Sequence, residues 1–409
     1  MDRLIAALMF AVALFTAVPA PADQRDVAPA DFADALAHAA SGSTLRLAPG
    51  VYRGPYVVTV ASLHVLGEPG AVIDGGGSGT PLTLAADGIE ISGLTIRGSG
   101  DDLADNDAVV LIRDAHRVSV RHCRIEAKAF GIYLRGGGDH LIAGNEVRGD
   151  ASLTRSKRGN GIHLWKTENN RVMENTLTDV RDGLYLSFAH HNLIEGNRAT
   201  AVRFGIHYMY SNDNTLKNNR LENCVGGAVL MFARRNLIEG NRALANRRFG
   251  ILLLSIDNSR LAGNLIARND RGLVLENCNS DRFERNSITE NGVGAFVTAG
   301  SDANLFASNT FDGNLVQAYV NHSGINLWSD HGRGNYWSDY AGFDFNGNGV
   351  GATPYHLQNA TAALMATRPQ ARWFMMSPAL SLLDWFQQRV VTPGDGFIDP
   401  APLVTRAAR

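Results

Sequence analysis

An all-β, right-handed parallel β-helix of about 22-residue rungs with helical caps is the fold the sequence predicts, on three observations. The first is a recurring Gly followed by an aliphatic strand. It reads Gly131-Ile-Tyr-Leu, Gly161-Ile-His-Leu, Gly183-Leu-Tyr-Leu, Gly205-Ile-His-Tyr, Gly227-Ala-Val-Leu, Gly250-Ile-Leu-Leu, Gly272-Leu-Val-Leu and Gly294-Ala-Phe-Val. From Gly161 the steps are 22, 22, 22, 23, 22 and 22 residues. The second is an asparagine on the same beat, at Asn145, Asn175, Asn197, Asn219, Asn241, Asn264, Asn286 and Asn309. The third is apolar alternation over short runs between Gly and Asn turns, which is strand rather than helix periodicity. A constant period of this size built from short strands is a solenoid. A leucine-rich repeat is excluded, because its Leu-x-Leu spacing and helical returns are absent.

The elements follow in order. Residues 1–22 (MDRLIAALMFAVALFTAVPAPA) place a charged start before an apolar run from Leu4 to Val18 and a small-residue Ala20-Pro21-Ala22. That is a signal peptide, too short for the roughly 20 apolar residues of a spanning helix. Residues 23–315 form the β-helix, opened by a capping helix at DFADALAHAA and the irregular rungs LRLAPGVYRG, VVTVASLHVLG and IEISGLTIRG. A cap is needed there, since a solenoid end bares sheet edges and apolar core. The 30-residue step from Gly131 to Gly161 places an insertion at GDASLTRSKRGN. Residues 316–409 carry the last rungs, a loop and capping or docking helices. Ser377-Pro378 starts a helix with a Ser cap and Pro at its first position, and Ala379, Leu382, Leu383 and Phe386 share one of its faces. Met365, Met375 and Met376 lie near it, where helix packing accounts for them. The recurring asparagines read as scaffold: corner amides that hydrogen-bond from rung to rung.

Composition narrows the function. A formal net charge of −2 gives no field to steer nucleic acid. Three widely spaced cysteines, Cys123, Cys224 and Cys278, make neither a disulfide framework nor a zinc site, and read as buried apolar residues. A secreted β-helix raises the alternative of a carbohydrate-active lyase or hydrolase, which needs gathered carboxylates. Asp139, Asp182, Glu195, Glu239 and Glu276 read as occupying different phases of the repeat, although the loops 98–107 and 149–160 could contribute. No nucleophile elbow, phosphate loop or zinc motif is present, and the chain reads as a non-enzyme. Asp344-x-Asn346-x-Asn348-Gly349 opens like a calcium loop, but Tyr355 stands where the closing acid belongs. A turn held by Asx hydrogen bonds is expected there instead.

One strand departs from the repeat: FGIHYMYSNDN, from Phe204 to Asn214. With Ile206 inward, His207 and Met209 point outward, and the same phase brings His163 and Trp165, Tyr185 and Ser187, and Val229 and Met231 from neighbouring rungs. Imidazole and thioether donors together favour Cu(I). The metal candidates are therefore His207, Met209 and Met231, with His163 two rungs away. The same face also reads as a packing surface for a partner, carried by Trp165, Tyr185, Tyr210 and Phe232. Register decides both readings, because a slip of one residue would turn Met209 into the core. His190-His191 falls in a corner and reads as a solvated turn.

The run RFGIHYMYSNDN, the N-x-I-E-G-N corners, GRGNYWSDYAGFDFNGNGVGATPY and the tail RWFMMSPALSLLDWFQQ resemble the NosD family, from about residue 28 to Leu403. The resemblance implies a periplasmic maturation protein of nitrous oxide reductase, peripheral to the inner membrane. It would dock on an ABC transporter permease and its ATPase and help assemble the copper–sulfur centre, with a copper chaperone as a further partner. Leu382, Leu383 and Phe386 would then serve docking.

Overall fold

The computed structural model describes residues 24–298, 300–321, 324–356 and 398–406, with positions 364, 368, 370, 377–379 and 382 between them. The chain winds through three parallel sheets of 13, 13 and 12 strands, visiting each once per turn. One rung shows the pattern: Leu193–Glu195 on the first sheet, Arg198–Thr200 on the second and Phe204–Met209 on the third. The result is a right-handed parallel β-helix, the hand expected of parallel crossovers. Among the described residues no helix is long and apolar enough to cross a membrane.

Each corner carries a polar ladder. Asn145 through Asn309 form one between the first and second sheets: the Asn219 Oδ1 accepts both the backbone N–H and the Nδ2–H of Asn197, and its own Nδ2 donates to the carbonyl of Ile194 and to Asn241. The scaffold reading of these residues holds. Two further ladders were not anticipated. Asn170, Asn192, Asn214 and Asn236, continued by Ser259, Asp281 and Asn304, run between the third and first sheets. Asn246, Asn269, Asn291 and Asn314 run between the second and third. The carbonyls and amides freed at every turn are thereby paired inside the molecule.

The ends are closed differently. At the start, a 3₁₀ turn (Pro29–Asp31) leads into a six-residue helix (Phe32–Ala37), and Phe32 packs edge-on to Tyr52 and Tyr56 over the first rung. At the far end, aromatic stacks plug the solenoid: Phe283–Phe306–Trp328 and Phe311–Trp337–Tyr355. The returning strand Ile398–Asp399 then places the Asp399 carboxylate on the last corner amide, accepting from the Asn335 N–H and the Trp337 indole. Leu382 is exposed, whereas Leu383, Phe386, Met365, Met375 and Met376, like the leader 1–22, lie outside the described residues.

The cysteines take corner positions. Cys123 and Cys224 stand one rung before Asn145 and Asn246, and their N–H groups donate to those amides; Cys278 donates to Ser301. Burial pushes their thiols up to about 11, about 11 and about 12.

Candidate functional site

The third sheet has the register the sequence implies. His163 pairs with Tyr185, Tyr185 with His207 and His207 with Val229; beside them run Trp165, Ser187, Met209 and Met231. Ile206 and Tyr208 are in the core, so His207 and Met209 face outward. Adjacent strands lie about 4.8 Å apart, which makes Met209 and Met231 neighbours on consecutive rungs. The Tyr185 hydroxyl reaches the Met209 sulfur at 3.7 Å.

Facing outward does not mean exposed. His207 is buried, edge-on to Tyr185 and Phe204. Its Nδ1 meets the Asp182 carboxylate at 3.0 Å, and Asp182 is also held by the fork of Arg203 at 2.8 and 2.6 Å. Burial alone would raise the Asp182 carboxyl; the Arg203 and His207 hydrogen bonds overcome it and hold the group below its ordinary value. A carboxylate on one imidazole nitrogen orients the ring and leaves the other nitrogen for a metal, the usual outer-shell arrangement of a ligating histidine. His207, Met209 and Met231 thus offer one oriented imidazole and two soft sulfurs on one face, a donor set that fits Cu(I).

His163 is set apart. The Tyr185 ring stands between it and His207, at centroid distances of 4.8 and 4.9 Å, while Tyr133 stacks on its other side at 4.5 Å. Burial pushes its imidazole down to about 3. Neither ring nitrogen has a hydrogen-bond partner among the described residues.

At the corner beyond Met209 the chain exposes a column of rings. Phe188, Tyr210 and Phe232 stack at 5.2 and 5.1 Å, within 14° of parallel, and are 46%, 43% and 39% exposed. Their φ values of 51°, 52° and 53° lie in the left-handed region, which bulky residues rarely adopt. Tyr210 and Phe232 were expected here; Phe188 was not. Aligning YLSF, YMY and VLMF on their glycines would have found it. Trp165 flanks the column with Lys166 over its ring at 4.6 Å, whereas Tyr185 turns into the cluster around His207.

Other expectations resolve as follows. Glu195 and Glu239 are not at different phases: both sit on one line of the first sheet with Lys217 between them, an alternating charge column. Stacking by whole rungs puts them in phase. Asp344 accepts the N–H groups of Asn346, Asn348 and Gly349, as an Asx-bonded turn should. His190 accepts the Asn212 N–H through Nδ1 within its corner.

Comparison with known proteins shows the family. A protein of Stutzerimonas stutzeri named "Probable ABC transporter binding protein NosD" is 34% identical over 376 residues, 88% of this chain and 86% of that protein. Its namesake in Pseudomonas aeruginosa is 34% identical over 378 residues, 88% of each chain. The chain belongs to the NosD family. The family described as "Periplasmic copper-binding protein (NosD)" matches residues 143–342, which include every rung around His207, and a right-handed β-helix region matches 69–199. Among solved structures, the Dettilon tailspike protein aligns with a TM-score of 0.51 at 17% identity, over 73% of this chain and 68% of that one. This last likeness concerns the fold alone. NosD membership accords with a periplasmic setting.

Proposed function

We propose that this chain is a periplasmic accessory protein for assembly of the copper–sulfur centre of nitrous oxide reductase, working with an ABC transporter as a docking and copper-receiving scaffold. The observation that carries the reading is the exposed Phe188–Tyr210–Phe232 column lying beside Met209 and Met231. Exposed contiguous apolar surface on a solenoid marks a place where something binds. The family description and the relatives' names support copper and a transporter as what binds. In this reading residues 1–22 direct export, and Leu382, Leu383 and Phe386 of the tail hold the protein to the permease and, through it, its ATPase at the inner membrane. The aromatic column meets the copper chaperone or the reductase, and Cu(I) is cargo held by Met209, Met231 and the free nitrogen of His207. In this reading the protein itself is non-enzymatic, which the relatives' naming as binding proteins supports.

Anaerobic Cu(I) competition on the mature chain tests this, with Met209→Ala/Met231→Ala beside it. Binding that weakens at least tenfold in the double variant is expected. Unchanged binding would remove the methionines from the site, and no binding in the wild type would reduce the patch to docking. Replacing Leu382, Leu383 and Phe386 by aspartate, which keeps the returning strand Ile398–Asp399, should abolish co-purification with the permease; retained association would exclude this part of the tail as the anchor.

A further inference from the structure

Next to His207, on the side away from Met209, lies a cavity of about 380 Å³. Its floor is the outward face of the third sheet, with Phe130, His163, Tyr185 and His207. Leu103 from the loop 98–107 and Gly159 and Asn160 from the insertion before Gly161 complete the wall. The insertion is fixed in place: Arg158 donates to the carbonyls of Ala151, Leu153 and Asp179. The copper-handling role uses none of these loop residues.

Two features make this a built site. The first is charge. Arg203 is neutralised by Asp182, but Arg181, which also lines the cavity, has no carboxylate at ion-pair distance among the described residues. The cavity therefore carries one unbalanced guanidinium. The second is a set of orphaned polar atoms. The Oδ1 of Asn160 and both ring nitrogens of His163 are buried without a partner, and all belong to residues lining the same space. Buried polar atoms are almost always paired, so a cluster of orphans at one cavity points to a ligand that pairs them.

The donor inventory identifies the class. Asn160 Oδ1 can only accept, and a neutral imidazole offers one donor and one acceptor. The ligand must therefore donate at least twice and accept at least once, besides carrying a negative charge for Arg181. Sulfate lacks the donors altogether; a carboxylate that also bears hydroxyl groups supplies the charge and both hydrogen-bonding roles.

We infer that this cavity binds a uronic acid, a sugar ring carrying a carboxylate, with Arg181 on the carboxylate and Asn160 and His163 on the hydroxyls. The test is isothermal titration of the mature chain with glucuronate, galacturonate and trigalacturonate, against glucose and inorganic sulfate. A uronate should bind, with glucose and sulfate at least about tenfold weaker, because loss of a charge-assisted hydrogen bond changes affinity by that order. The monomer and trimer arms distinguish a free sugar acid from the residue of a polysaccharide. Arg181→Gln should weaken uronate binding by a similar factor with an unchanged melting curve. Should that variant unfold early, Asn160→Ala, which keeps the backbone contacts of the insertion, replaces it. No binding at millimolar uronate, equal binding of glucose or sulfate, or wild-type affinity in the folded variant would each overturn the assignment. His207 borders both sites, but the methionine variants change no residue lining the cavity and the uronate variants change no proposed copper ligand, so the two readings fail separately.

Discussion

Replacing Asp281 with asparagine should stabilise the protein, and increasingly so as pH rises. Asp281 occupies a rung of a corner ladder in which most other positions are asparagine. Its Oδ1 accepts the Ser259 N–H at 2.6 Å, while its Oδ2 and the nearby buried Tyr208 hydroxyl have no partner among the described residues. Burial pushes the carboxyl from 3.8 up to about 8, against the Ser259 hydrogen bond. Its folded-state pKa is raised, so its stabilising contribution is complete below about 3.8 and is lost as pH rises through about 8. At about 1.4 kcal/mol per unit, the loss between pH 4.5 and pH 8 has an upper value of about 4 kcal/mol. For a chain of this length that is roughly 5 °C in melting temperature. The assay is thermal melting of wild type and Asp281→Asn across that range, taking the difference at each pH so that other titrating groups cancel. The variant's advantage should widen by several degrees between pH 4.5 and pH 8. A constant offset, or a variant that melts below the wild type at pH 8, would show that Asp281 is not a charge forced into the core.

Three further outcomes are expected. Asn219→Ala removes both the acceptor for Asn197 and the donor to Ile194 and Asn241, leaving buried groups unpaired; it should cost about 3–5 kcal/mol in denaturant unfolding, whereas Lys217→Ala on the outside should cost under about 0.5. The three thiols, pushed up to about 11 or 12 by burial, should stay unmodified by a maleimide at pH 8 until the chain is denatured; prompt labelling would place at least one at the surface. Tyr210→Asn should leave stability within about 1 kcal/mol of wild type, since asparagine tolerates the left-handed backbone, while partner capture falls; a loss above about 2 kcal/mol would make the aromatic column structural.

The scaffold was legible because it is one-dimensional. Period, strand phase and one ladder can all be read along the chain, and the register of His207 and Met209 followed from them. The second ladder was also in plain view, as the first asparagine of NLIEGN, five residues before the one taken as the marker. The cysteines too could have been placed by counting one rung from Asn145 and Asn246. What could not be read is contact across rungs. Asp182 sits one rung before Arg203 and His207, and only stacking brings both of them onto its carboxylate. The cavity depends on where two irregular loops land, and no period describes them. Glu195 and Glu239 show the opposite error: a regular relation overlooked because the acids were judged by sequence neighbourhood instead of whole-rung offset.

The separation of inside from outside is what allows function to be recognised here. One corner column runs Gly136, Lys166, Phe188, Tyr210, Phe232, Ser255 and Asn277, every member with positive φ. The backbone of that column asks for glycine or asparagine, and Gly136 and Asn277 supply them. An aromatic residue at such a φ costs on the order of 1 kcal/mol, and each stacked pair returns about 0.5–1.5. Three such residues cost at least about 3 kcal/mol and two stacked pairs return about 1–3, so the rings at best break even for the fold, and they leave nearly half their surface in water. Selection for stability gives no reason to prefer them over asparagine. Their presence on three consecutive rungs, beside the two outward methionines and with Tyr210 on the rung of the Asp182-oriented histidine, is what the proposed docking role accounts for and fold stability does not.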